Sequence, residues 1–145
     1  MLVKSAVRAA APLTVNALSE LITTSAQRLY VRRIKVTLAA ATALELALLR
    51  PTGVGTASAS STPVVCDPND VAGTIVGKIT TAWSAQPTPG ANYMDKHYFP
   101  ASAGAGYEWV FDRGELIVGA SGSLVLWNIG GSTGPACDVC WTWEE

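Results

Sequence analysis

The sequence is poor in the residue types that catalytic and metal sites most often use. It contains one histidine, His97, and charged residues make up 14% of its 145 residues, against a usual share of about 25%. One histidine leaves little for general acid–base catalysis and too few ligands for a cupin-like metal site. We therefore predict that the chain is not an enzyme and that it needs no cofactor or metal.

Long apolar runs of the kind found in membrane spans and signal peptides are also missing. The N-terminus, MLVKSAVRAAAPLTVNALSE, is basic and alanine-rich but has no uninterrupted apolar core. A second run starts at Arg32, is interrupted by Glu45 and closes with Arg50-Pro51, so it is shorter than the roughly 20 apolar residues of a membrane span. We interpret both as folded or docking segments, without contact to a membrane.

The three cysteines, Cys66, Cys137 and Cys140, are an odd number and cannot form a closed disulfide framework. Their number is typical of reduced, intracellular thiols. Cys137 and Cys140 form a CxxC motif, but in an alternating strand this spacing points the thiols to opposite faces. Zinc needs four ligands, and only Cys66 and His97 could complete the set. We predict structural cysteines, no metal and no intramolecular disulfide, and interpret His97 as a surface or interface residue.

The CDPND segment holds two carboxylates, Asp67 and Asp70. Asp and Asn oxygens are suitable calcium ligands, but the segment lacks the length and ligand number of an EF-hand. Short polar side chains of this kind more often satisfy local backbone groups, so we predict a turn or a helix cap.

Charge is divided unevenly along the chain. Residues 1–50 carry a net charge of +5 and residues 51–145 carry −6, within a total of −1. Such asymmetry can mark a basic arm that meets a negatively charged surface. It is equally consistent with two halves that neutralise each other across one sheet.

Period-two alternation of apolar and polar residues predicts several strands. Residues 137–144 place Cys137, Val139, Trp141 and Trp143 on one face, as in a half-buried strand. Residues 123–129 are apolar on both faces, which is typical of a central strand. Further alternating stretches lie at residues 29–38, 107–111 and 115–118. A turn at Arg113-Gly114 separates the last two of these stretches.

The stretch Leu38–Leu49 is ambiguous, because its Ala, Leu and Glu content favours a helix. Alternation places Leu44, Leu46 and Leu48 on one strand face, so we favour a turn near residues 39–42 followed by a strand. Further strands are expected within 13–24 and 74–83. Gly, Pro and Ser content predicts loops at 51–63, 87–91, 101–106 and 130–135. The fold class is therefore all-β: an antiparallel, jelly-roll-like β-sandwich of about eight strands with an N-terminal arm.

The domain division places an N-terminal docking arm, with a possible first strand, at residues 1–27 and the β-sandwich domain at 28–145. Lys4 and Arg8 have no acidic neighbour before Glu20, and the alanines and valines around them form no convincing core of their own. Such a segment orders best on a partner surface. Removing residues 1–12 is then expected to leave the sandwich folded and to weaken partner binding.

Basic residues supply the candidate binding site. Arg28, Arg32 and Arg33 beside Tyr30 could bind nucleic acid by charge and stacking. Strand alternation separates Arg32 from Arg33, however, and the chain is slightly acidic overall, so we expect arginines paired within the sheet and no specific nucleic-acid binding. The candidate partner-binding residues are Lys4, Arg8, Arg28 and Arg33.

Two runs resemble virion proteins of tailed bacteriophages. They are RLYVRRIKVTLAAATALELALLRPTGVGT and AGAGYEWVFDRGELIVGASGSLVLWNIGGSTGPACDVCWTWEE, and they cover roughly residues 28–55 and 104–145. In that family an arginine-bearing strand leads to a leucine-rich strand that ends in Arg-Pro, and a Gly-Ser-Leu-Val-Leu-Trp-Asn strand precedes a final Trp-rich strand. The resemblance implies a small jelly-roll or sandwich protein on the phage particle, with no catalytic residues.

The function expected from this resemblance is a structural virion protein: a capsid decoration or cement protein, or a minor capsid protein. It implies the major capsid protein or other virion proteins as partners, a homotrimer, and localisation in virions assembled in the host cytoplasm. The alternative is a tail- or fibre-associated module that binds a receptor or carbohydrate through exposed tryptophans. Trp141 and Trp143 share a face with Val139, which favours core positions for both.

Overall fold

The protein, described by a computed structural model over residues 1–70 and 75–145, is a sandwich of two six-stranded antiparallel sheets. This confirms the all-β prediction. The strands are β1 (Leu2–Ala9), β2 (Ala17–Thr23), β3 (Leu29–Leu38), β4 (Leu44–Leu49), β5 (Thr56–Ser60), β6 (Val64–Val65), β7 (Gly77–Ala85), β8 (Tyr93–Phe99), β9 (Gly106–Val110), β10 (Leu116–Val118), β11 (Ser123–Asn128) and β12 (Cys137–Glu144).

The strand order is that of a jelly roll. The first sheet has the order β10-β3-β12-β1-β6, and β9 pairs with β3 on the same edge as β10. The second sheet has the order β5-β7-β2-β11-β4-β8. Without β5, β6 and β7, and with β9 and β10 counted as one edge, eight strands remain, and the chain changes sheet at every step except from β4 to β8, which pair in the second sheet. Two four-stranded sheets wound in this way form a jelly roll.

The segment between β4 and β8 adds three strands to this core. β7 pairs with β2, β5 pairs with β7, and β6 pairs with β1. The strand expected within 74–83 is confirmed as β7, although Thr74 lies outside the described residues. The loop expected at 51–63 is partly wrong, because residues 56–60 form β5, an exposed edge strand with three register shifts. Neither β6 nor β8 was predicted.

Residues 1–27 are not separate from the sandwich. β1 pairs with β12 over eight residues, and β2 lies between β7 and β11. Val3 and Ala9 are fully buried in the same core as the C-terminal strands. The possible first strand is therefore present, but the predicted arm is replaced by two strands of the sandwich. The pairing of β1 with β12 argues against the expectation that residues 1–12 could be removed without unfolding.

The core lies between the two sheets and consists mainly of aliphatic side chains, with Trp141 and Trp143 of β12 among its largest members. Trp141 and Trp143 are 0% exposed, which confirms their predicted inward direction. β11 is buried along its whole length between β2 and β4, as expected for a central strand. The ambiguous stretch 38–49 is a turn followed by β4, so the strand interpretation is confirmed.

Candidate binding face

The outer face of the first sheet is built by three central strands, β1, β12 and β3. Residues that point outward on β12 lie between outward residues of β1 and β3 in four cross-strand rows. From one end of the face to the other, the rows are Arg8–Asp138–Thr37, Ala6–Cys140–Lys35, Lys4–Thr142–Arg33 and Leu2–Glu144–Tyr30.

A β-bulge adds an extra cation to this face. Thr142 pairs with Arg33 but the next residue, Trp143, pairs with Val31, so Arg32 has no counterpart on β12. Such a bulge interrupts strict alternation, and Arg32 and Arg33 line the same surface depression. The predicted separation of these two arginines onto opposite faces is therefore wrong. For the same reason Tyr30, which strict alternation places on the face of Ile34, lies on the outer side.

The face is cationic although the chain is acidic. Six basic and four acidic side chains lie on it or line its depressions, giving +2, whereas the rest of the chain carries −3. Ion pairs along sheet strands and screening by solvent reduce the effect of any single exposed charge, but the sign of the whole face is preserved. The charged residues of the face are Lys4, Arg8, Arg32, Arg33, Lys35, Arg113, Glu108, Asp112, Asp138 and Glu144.

Part of this charge is neutralised within the face. Arg8 holds Asp138 through two hydrogen bonds, Nε to Oδ1 at 2.5 Å and Nη2 to Oδ2 at 2.9 Å. These bonds lower the pKa of Asp138 below its ordinary value and raise the pKa of Arg8. Arg33 Nε lies 3.4 Å from Glu108 Oε1. Basic residues from positions 1–50 therefore pair with acidic residues from positions 51–145 across one sheet. This agrees with the interpretation that the two halves of the chain neutralise each other.

Glu144 closes one end of the face. Its carboxylate lies 3.5 Å from Arg32 Nε and 2.6 Å from Arg113 Nε. The guanidinium carbon of Arg113 lies 4.6 Å from the centre of the Tyr30 ring, which is within cation–π range. This cluster fixes the arginines at the end of the face and covers the only aromatic ring of the four rows.

Two cations of the central rows have no such partner. Within residues 1–70 and 75–145, no carboxylate oxygen lies within 4.0 Å of the ammonium group of Lys4 or Lys35. Two shallow depressions flank the central rows, with volumes of about 400 Å³ beside Lys35 and Cys140 and about 330 Å³ beside Lys4 and Arg33. The face therefore offers uncompensated positive charge next to concave surface.

The structure brings together three of the four candidate residues. Lys4, Arg8 and Arg33 lie on the face, whereas Arg28 lies in the turn before β3. Lys35 was missed as a candidate, although its alternation with Arg33 in the sequence places both on one strand face. Arg113 comes to the face from a distant turn through tertiary contacts, which no local pattern shows.

The single histidine lies where the two sheets meet at an open edge. His97 of β8 stacks on Tyr107 of β9 at a ring distance of 3.8 Å, and Phe99 contacts it edge-on at 4.7 Å. Nearby, Trp109 Nε1 donates a 2.8 Å hydrogen bond to Asp95 Oδ2. These contacts join β8 of the second sheet to β9 of the first. His97 therefore takes part in the packing between the two sheets.

The cysteines and the CDPND segment have the local structure expected of them. Cys137 points into the core and Cys140 outward, and burial raises the pKa of the Cys137 thiol to about 12. All three cysteines are free. Asp67 Oδ1 accepts the Asn69 backbone N–H at 2.9 Å, which confirms a turn. Over the described residues, no three His, Cys, Asp or Glu side chains converge as metal ligands.

Comparison with known proteins adds no relative. No protein-family model, curated protein or solved structure matches the chain significantly. The described residues also contain no helix long and apolar enough to cross a membrane. The jelly roll and its cationic face are therefore the features of the protein that bear on its function.

Proposed function

We propose that the chain is a structural virion protein that attaches to a phage particle through the outer face of its first sheet. The observation that carries this proposal is the charge of that face, +2 on a protein whose remaining residues sum to −3. Complementary charge orients partners and speeds their encounter. A protein polarised in this way presents one face to an acidic partner surface, such as that of a capsid protein.

The fold supports the same proposal without deciding it. Jelly rolls occur in capsid proteins, lectins and cupins, and a fold by itself does not define a function. A lectin that uses exposed tryptophans is less well supported, because Trp141 and Trp143 are buried. Tyr93 and Tyr98 are the larger exposed aromatic side chains of the second sheet, and they lie on its edge strand rather than on a broad platform.

Binding to empty capsids tests the proposal. We expect the full-length protein to co-sediment with capsids, and the Lys4→Glu/Lys35→Glu variant to lose most of this binding. Because exposed charges are screened by salt, binding of the unmodified protein should also weaken as the salt concentration rises. Lys78→Glu/Lys96→Glu is the matched control, since it makes the same change in net charge on the second sheet.

Three results would contradict the proposal. If the Lys4→Glu/Lys35→Glu variant still binds capsids, the cationic face is not the binding interface. If the control variant loses as much binding, the loss is caused by the change in net charge and not by the position of the lysines. Failure of the unmodified protein to bind capsids, combined with binding to a glycan array, would support the receptor- or carbohydrate-binding alternative. Analytical ultracentrifugation tests the proposed homotrimer separately.

A further inference from the structure

We infer that the centre of the cationic face is a trough that binds an extended acidic segment of a partner protein. The inference rests on the proposed function for the identity of that partner as a virion protein. The trough is formed by the two central rows of the face. Its residues are Ala6 and Lys4 of β1, Cys140 and Thr142 of β12, and Lys35 and Arg33 of β3.

The shape of the trough follows from side-chain size. Cys140 and Thr142 are short and lie in the middle strand, whereas three of the four flanking positions hold long cations and the fourth holds Ala6. Thr142 is only 6% exposed although it points outward, because Lys4 and Arg33 stand on either side of it. One depression reaches Cys140 and the other reaches Thr142, without a lining residue in common, so the floor consists of two concave segments that follow each other along β12.

The spacing of the cations matches an extended chain. Lys35 and Arg33 are two residues apart on one strand, a distance of about 6.8 Å between outward positions. Alternate residues of an extended peptide repeat at the same distance. A segment with acidic residues at alternate positions, lying along β12, can therefore direct one carboxylate to Lys35 and the next to Lys4, beside Arg33 in its exposed ion pair with Glu108. Lys4 and Lys35 have no carboxylate oxygen within 4.0 Å in the described part of the chain, although Glu108 is the cross-strand neighbour of Lys35, so the proposed pairing breaks no ion pair of the two lysines.

The ends of the trough limit what can bind. Asp138, paired with Arg8, lies at one end and Glu144 lies at the other. These carboxylates repel additional negative charge, so a short acidic segment fits better than a long polyanion. Nucleic acid is also disfavoured because Arg113 covers the ring of Tyr30, which leaves no free aromatic surface for base stacking in the four rows.

The test uses the full-length protein and fluorescently labelled seven-residue peptides. The first peptide carries three acidic residues at alternate positions, and the second has the same composition with the acidic residues adjacent. We expect the alternating peptide to bind more tightly in a fluorescence-anisotropy titration at low salt. Lys35→Glu or Lys4→Glu should weaken its binding by about tenfold, whereas Lys78→Glu should change it less than about twofold.

Cys140 provides a second readout, because it lies on the trough floor. Saturating alternating peptide should slow the alkylation of Cys140 and leave the rate at Cys66 nearly unchanged, because Cys66 follows the edge strand β6, beside Leu2 and outside the two central rows. Equal affinity for both peptides, or no protection of Cys140, would overturn the inference. Tighter binding to a short single-stranded oligonucleotide than to the peptide would also overturn it, in favour of a nucleic-acid site.

The two proposals can fail separately. If the peptide binds and protects Cys140 but the protein does not bind capsids, the inferred peptide-binding trough is supported and the proposed virion function is contradicted. If capsid binding depends on Lys4 and Lys35 but the peptide neither binds nor protects Cys140, the proposed virion function is supported and the inferred trough is contradicted.

Discussion

Trp141 and Ser19 join the two sheets through a hydrogen bond inside the core. The indole Nε1–H of Trp141 on β12 donates to Ser19 Oγ on β2 at 2.9 Å, and both residues are 0% exposed. Indole nitrogen is a donor only, and a buried donor without an acceptor costs the free energy of its desolvation. The presence of a serine in this core is therefore explained by the tryptophan that it faces.

Replacing Ser19 is expected to destabilise the sandwich. Ser19→Ala leaves the Trp141 N–H without its acceptor in the core, which should lower the free energy of unfolding by about 1–3 kcal/mol. Urea denaturation followed by tryptophan fluorescence measures this change. Ser102→Ala, at an exposed position, is the control and should leave the free energy of unfolding nearly unchanged. Equal stability of both variants would show that water or a shifted side chain replaces Ser19.

Glu20 provides a second buried polar contact, on the outer side of the second sheet. The carboxylate is 0% exposed and accepts hydrogen bonds from Ser123 Oγ at 2.6 Å, Trp83 Nε1 at 2.8 Å and the Gly55 backbone N–H at 3.2 Å. It therefore holds the segments after β4 and within β7 against β2. A Cβ at Gly55 would lie 2.6 Å from Glu20 Oε2, so the backbone packs closely on this carboxylate.

Loss of the Glu20 carboxylate is expected to cost more than loss of Ser19. Glu20→Ala leaves three donors without their acceptor and should lower the free energy of unfolding by about 3 kcal/mol or more. Glu20→Gln keeps the shape and one acceptor oxygen, and should fall between Glu20→Ala and the unmodified protein in urea denaturation. Glu45→Gln, whose carboxylate lies 4.0 Å from Lys96 at the surface, is the control. A smaller effect for Glu20→Ala than for Glu45→Gln would contradict the assigned role.

The parts of the fold that the sequence predicted are those where each residue faces either core or solvent. β12 is of this kind, with large apolar side chains at alternate positions, whereas β11 was predicted because it is apolar on both faces. β8 is different, because it lies at the open edge of the sandwich, where Asp95 and His97 pair with aromatic residues of β9. Inward positions there are polar, so β8 has no recognisable alternation.

The N-terminal strand shows a second limit of sequence patterns. Val3 and Ser5 of β1 lie directly opposite Trp143 and Trp141 of β12. Small residues on one strand thus leave room for the tryptophans of the next, and together they fill the core. Read alone, residues 1–12 have no large apolar residue at regular positions, and their contribution depends on a partner strand more than 120 residues away. The bulge at Arg32 likewise depends on pairing with β12.

Deletion of residues 1–12 is expected to unfold the protein. β1 separates β12 from β6 in the first sheet, so its removal exposes the edge of β12 and one side of the tryptophan core. We expect the truncated protein to lose its cooperative thermal transition in circular dichroism. Substitution of Lys4 and Arg8 by Gln, which keeps the strand, is the control and should melt cooperatively. A folded truncated protein would restore the interpretation of this segment as an arm.

The Arg8–Asp138 pair gives a pH-dependent prediction. Hydrogen bonds from Arg8 lower the pKa of Asp138 in the folded protein. A carboxyl with a lowered folded pKa stabilises the protein above its unfolded pKa of about 3.9, and this contribution is lost as the pH falls through the folded pKa. Asp138→Asn should therefore lower the melting temperature slightly at neutral pH and low salt. The difference should shrink as the pH falls through the folded pKa of Asp138 and vanish once the carboxyl is protonated in both states. Asp112→Asn is the control, and a difference that persists at low pH would assign the effect to packing.

The three cysteines are expected to react with iodoacetamide in a fixed order. Cys66 is exposed, Cys140 is half-buried on the cationic face, and Cys137 lies in the core. Because the thiolate is the reactive species, the pKa of about 12 at Cys137 leaves almost no nucleophile at pH 8. Mass spectrometry of peptides should show Cys66 modified first and Cys140 more slowly, while Cys137 reacts only after the protein unfolds. In urea all three rates should converge, which provides the control for intrinsic reactivity. Modification of Cys137 at the rate of Cys66 in the folded protein would show that the edge of β12 opens, and would contradict the buried position of this strand.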